Sequence, residues 1–204
     1  MERRDKIMNI QNRDNIPKVK TTHIVTFAFC TAVMAILCTA AGFLFAVIPG
    51  LPLGFCPAVP LMVPFALWFG GWGVAAAYIG CAIGGILKGT PVIVALPWVI
   101  NDVFMAGIPL LAFRLLKADP GLNTRRDWVI FIIFGVVINT LIACAWGTWI
   151  PVYFGIWPIG AVAVIWVQYV IASLLLLGFI APIILKGFTG FARRTGAYTE
   201  GFLT

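Results

Sequence analysis

Charge is what this 204-residue chain has least of: Asp, Glu, Lys and Arg together make up 10% of it, and His23 is its single histidine. From Leu51 to Leu87, and again from Trp128 to Leu185, no residue is charged. Paired carboxylates, nucleophile–base pairs and metal-ligand spacings are missing, so the chain is expected not to be an enzyme. One histidine cannot build a His-based metal site. The cysteines (Cys30, Cys38, Cys56, Cys81, Cys144) form no CxxC pair, and four lie in apolar segments, where a free thiol behaves as a small hydrophobe. No metal or cofactor is expected. The glycines of Gly80–Gly85 lack a following lysine and a preceding soluble strand, so they are no phosphate loop. A cleavable signal is also missing, because the first twenty residues are too polar to hold its apolar core.

Apolar residues are abundant instead. They make up 62% of the chain, against about 45–50% in soluble domains, and the mean hydropathy is +1.04. Uncharged runs of ~18 residues or more are membrane-span candidates. An all-α, multi-pass membrane protein of the cell membrane follows, with six transmembrane helices. The first is expected at 24–48, and 51–87 folds into two around a Gly70-Gly71 turn. The fourth is expected at 92–116. The run 128–185 divides near Trp149–Pro158, where Pro151, Gly155 and Pro158 interrupt helix. Each arm of the 52–89 hairpin has about 18 residues, the lower limit for a crossing. A re-entrant hairpin, giving four crossings, is the alternative. Three regions result: a basic segment over 1–22, a membrane domain over 23–186 and a tail over 187–204.

Lys and Arg set the orientation. The net charge of +7 flanks apolar runs and is not massed on a soluble face, which points to anionic lipid heads and not to nucleic acid. Six cations precede the first helix (Arg3, Arg4, Lys6, Arg13, Lys18, Lys20). Arg114, Lys117, Arg125 and Arg126 surround the central loop, and Lys186, Arg193 and Arg194 follow the last helix. Thirteen of fourteen therefore share the cytoplasmic side if an even number of crossings separates the clusters, and both termini are cytoplasmic. Lys88 is the exception.

Polar residues deep in the spans point to function. At ~1.5 Å per residue, Asp102 lies ~15 Å into its helix, Asn139 ~16 Å and Gln168 ~15 Å, all near the middle of a ~30 Å core. Asn101 shares that level. Trp98 stands one turn outward from Asp102, and Trp146 two turns outward from Asn139. Together they suggest a substrate cavity with a polar floor and aromatic walls; helix-to-helix glue with an interfacial aromatic belt is the alternative. Intramembrane carboxylates are costly and usually functional, which favours the cavity. The segment Ala145–Pro158, rich in aromatics, reads equally as a lid or as a belt. Rows of small residues mark close helix approaches: Ala76, Gly80 and Gly84 on the third helix, and Gly135, Asn139, Ala143 and Gly147 on the fifth.

The stretch Ala28–Ala41 (AFCTAVMAILCTAA) and the Pro/Gly-rich second and third spans (VPFALWFGGWGVAAAYIGCAIGGIL), with the size and span count, resemble the substrate-binding membrane subunits (S components) of energy-coupling-factor vitamin transporters. That resemblance implies capture of a small water-soluble, vitamin-like molecule from outside. It also implies a membrane coupling protein docked on the Ala28/Ala32 row and driven by ATPase subunits. The metal-ion branch of the family is not implied, because its amino-terminal histidine pattern is missing. The chain's lack of an ATP-binding motif fits a subunit that borrows its energy. A non-transporting accessory or sensory subunit of a larger complex is the other expectation, although no soluble output domain follows Lys186.

Overall fold

The computed structural model describes residues 20–47 and 54–202. The basic segment before Lys20, the 48–53 connection and the last two residues lie outside this range. Among the described residues every regular element is helical. We number the rods α1 (Thr21–Val47), α2 (Val59–Phe69), α3 (Gly71–Leu87), and α4 (Val92–Leu115), α5 (Arg125–Tyr153) and α6 (Ile159–Ala192). Each begins near the end of the bundle where its predecessor stops.

Four of these rods, α1, α4, α5 and α6, are long and apolar enough to cross a membrane. The other two are shorter. With 11 residues, α2 rises about 16 Å, and with 17 residues α3 rises about 25 Å, against a hydrocarbon core of about 30 Å. Every residue of α2 except Leu61 is buried, so α2 is walled by protein. The irregular backbone at 54–58 that leads into it lines an internal cavity, where non-helical backbone is tolerated at membrane depth. The expected turn is present. Gly70 takes a φ of 60° between α2 and α3, a left-handed value that glycine adopts freely.

Local chemistry explains the irregularities. Pro97 lies two residues before the break at Val99 that divides α4 into Val92–Trp98 and Ile100–Leu115. Helix α5 opens on a capping box: Thr124 accepts from the Asp127 backbone while Asp127 accepts from that of Thr124. Both α5 and α6 contain wider, π-wound stretches, at Phe131–Ile138 and Leu176–Ile180. Pro182 follows the second and has no N–H for the ladder. Helix α6 runs on to Ala192, past the boundary expected at Lys186.

Packing follows the small residues. A Cβ added at Gly80 would lie 2.5 Å from the Met34 Cβ, and one at Gly84 would lie 2.6 Å from the Cys38 Cβ. Helices α1 and α3 therefore meet backbone to backbone. The α5 row Gly135, Asn139, Ala143 and Gly147 is buried throughout. Ala28 and Ala32 are different. They are exposed, on a face of α1 shared with exposed Val25, Phe29 and Ile36.

One end of the bundle gathers the charge. His23 stacks on Trp72, bringing the start of α1 beside the start of α3. Arg114 donates to the carbonyls of Leu67 and Thr199, joining the ends of α4 and α2 to the C-terminal tail. The Thr199 N–H donates to the Trp68 carbonyl, Trp68 Nε1 donates to Thr189 at 2.9 Å, and Arg193 pairs with Asp119 at 2.6 Å. The hydrogen bond that Arg193 donates to Tyr198 and the nearby Asp119 hold the guanidinium above its ordinary range. Lys20, the central loop and the tail thus occupy one end. Gly54, Lys88 and Trp157 mark the other.

Candidate functional site

At the end away from the charge, residues of all six helices and the 54–58 segment enclose a half-open cavity of about 330 Å³. Small residues of α1 and α3 bring those helices together and leave room above their seam, where Cys38, Ala41, Gly42, Cys81 and Gly85 form one wall. Asp102 and Asn101 come from α4 just below the break at Val99, which turns them toward this wall. Asp102 is 7% exposed. It lies beside Cys81 and Asn101, and both of these and Lys88 line the same cavity. Trp98 and Trp157 meet edge to face at 5.7 Å, and Trp157 leans on Tyr169 at 6.1 Å. These three rings line the opening. Gly54, at a φ of +93°, sits so close to Tyr169 that a Cβ would stand 2.7 Å from its ring. Both the backbone angle and the space require glycine there.

The expected site residues separate into two groups. Trp98, Asn101 and Asp102 line the cavity. Asn139 is fully buried in the seam between α4 and α5, where its amide nitrogen donates to the carbonyls of Met105 at 2.9 Å and Gly135 at 3.0 Å. Its oxygen accepts from Thr140. Trp146 donates to the Pro97 carbonyl at 2.8 Å and packs edge-on against Phe104. Both hold α4 to α5 and do not line the cavity. Gln168 is half-buried on α6 beside the cavity-lining Tyr169, and is not itself part of the lining. Depth alone placed Asn139 and Gln168 with Asp102. Which helix pair opens is decided by packing, and here the space lies toward α1 and α3.

Residues not singled out in the sequence complete the lining. Four of the cysteines, Cys38, Cys56, Cys81 and Cys144, face the cavity, with the Cys38 sulfur 2.9 Å from that of Cys81 and 3.7 Å from that of Cys56. Their spacing carries no signal, because they converge from separate elements. Lys88 did carry one: it is the single cation outside the basic clusters. The aromatic segment 145–158 also divides. Helix α5 continues to Tyr153, whose ring and that of Trp149 are exposed, while Trp157 turns back onto the cavity.

Among the described residues no group of three or more His, Cys, Asp or Glu is arranged to hold a metal ion. Comparisons with protein-family models, with curated proteins and with solved structures found no match to this chain.

Proposed function

We propose that this chain is the substrate-binding membrane subunit of an uptake system for a small water-soluble molecule, energised by a separate ATPase coupling module. In this reading it crosses the cell membrane six times, with the charged end in the cytoplasm and the cavity open to the outside. The observation that carries it is the cavity. Its volume of about 330 Å³ falls within the range of small-molecule sites, about 300–1,000 Å³. Asp102 forms its floor and rings stand at its mouth. A carboxylate buried in an apolar region must be paired, protonated or met by a ligand. No arginine or lysine is bonded to it among the described residues, and a ligand donor or cation suits it. Aromatic faces at the mouth suit flat rings and cations.

The outward face of α1 supports the energised part of the reading. Ala28 and Ala32 offer a second helix a close approach, and no described residue of the chain covers them.

The deciding experiment is Asp102→Asn, which keeps size and hydrogen bonding and removes the charge. Binding of the native ligand, identified by native mass spectrometry of gently solubilised protein, weakens at least about tenfold, equivalent to ~1.4 kcal/mol. Thermal stability of the ligand-free protein stays unchanged. Unaltered affinity would overturn the site. For the docking face, Ala28→Leu with Ala32→Leu abolishes copurification of coupling-module subunits while ligand binding persists. Copurification instead with respiratory or signalling subunits would replace transport with an accessory role.

A further inference from the structure

The charged residues that the structure describes lie at the charged end or in its loops, with two exceptions. The exceptions are Lys88 and Asp102. They are opposite in sign, and both line the cavity. They do not form an ion pair with each other, since among the described residues the one pair within 4.0 Å is Arg193–Asp119.

They also stand at different depths. Asp102 lies close to Cys81, and both line the cavity. Lys88 is seven residues further along α3 than Cys81, about 10 Å nearer the mouth. Its stem lies across Gly42 of α1, where an added Cβ would be 2.9 Å from the lysine Cδ. The side chain is thus laid over the cavity wall. Trp98, one turn outward from Asp102, stands between the two levels against Trp157.

We propose that the site takes an amphoteric aromatic molecule, with an amine-type group held deep by Asp102, its ring against Trp98 and Trp157, and an acidic group held at the mouth by Lys88. The inference rests on the reading of this cavity as the substrate site and adds the substrate's charges and their order. The two contributions differ in size. Asp102 is buried, so an opposite charge on the ligand is strongly favoured there. Lys88 is exposed, where an ion pair is worth little. Asp102 therefore governs affinity, while Lys88 sets orientation and selects against molecules lacking the acid.

The test uses the full chain in lipid nanodiscs and three compounds with one ring skeleton: 4-(aminomethyl)benzoate, benzylamine and benzoate. Calorimetry gives the order 4-(aminomethyl)benzoate, then benzylamine, then benzoate. Lys88→Gln weakens 4-(aminomethyl)benzoate about three- to fivefold, the scale of an exposed pair, and leaves benzylamine unchanged. Asp102→Asn weakens both amines at least about tenfold. Benzylamine binding as tightly as 4-(aminomethyl)benzoate, or Lys88→Gln weakening both alike, overturns the proposal; if Asp102→Asn still weakens benzylamine, the substrate-site reading survives. Failure of all three compounds to bind overturns it too, and a bound molecule of another charge type extracted from the purified protein would then preserve the substrate site alone. Binding of the amines that neither substitution alters overturns both readings.

Discussion

The two ends of the bundle handle polar groups in opposite ways. At the charged end most are bonded across elements, while among the described residues His23 Nδ1, Arg114 Nε and Thr199 Oγ1 keep no hydrogen-bond partner. Arg114 ties two backbone segments together, Arg193 reaches Asp119, Lys186 lies over the Trp128 ring at 5.7 Å, and Asp127 closes the capping box. At the cavity end, Asp102 and Lys88 face a shared space without pairing. Satisfied networks rigidify a fold, whereas a charge left beside open volume costs stability and is retained where something else uses it. The contrast fits the proposed reading, with structure at one end and recognition at the other.

The sharpest way to break that comparison is all-or-none. In a variant whose native cysteines are replaced, Asn123→Cys at the charged end is shielded from impermeant maleimide in intact cells, and Lys88→Cys is labelled. The reverse pattern would invert the orientation and remove the outward site. Next in size is Arg114→Met, which leaves the Leu67 and Thr199 carbonyls without their donor. Hydrogen bonds to a charged group are worth about 1.5–3 kcal/mol each, so with both lost unfolding in detergent shows a loss on the order of 3–6 kcal/mol while ligand affinity holds. The smallest effect belongs to the seam between α4 and α5. Asn139→Leu removes two amide bonds and costs about 1–2 kcal/mol, because intramembrane hydrogen bonds contribute modestly, again without a change in affinity. A large loss of binding in Asn139→Leu would return that residue to the site.

Much of the architecture was legible before the structure. The Gly70-Gly71 turn, the break after Tyr153 and the gathering of the described cations other than Lys88 at one end are all local or compositional signals. The length of α2 was not legible. A proline-rich apolar run reads alike as a crossing and as a buried half-helix, and its helix here is 11 residues long with protein around it. Of the polar midplane, Asp102 was readable from cost alone, because a carboxylate in an apolar run demands a reason.

What the sequence determined by itself was the helical class, the apolar spans, the segregation of charge and the presence of one acid inside an apolar run. These depend on residue type and on periods of a few residues. Only the tertiary structure decided that Asn139 and Trp146 bond into the α4–α5 seam, that Ala28 and Ala32 face outward while Gly80 and Gly84 face inward, and that Lys88 overlooks the cavity floored by Asp102. Helical periodicity fixes which residues share a face. It does not say which neighbour that face meets, and in this bundle the close approach of α1 to α3 settles where the open space is left.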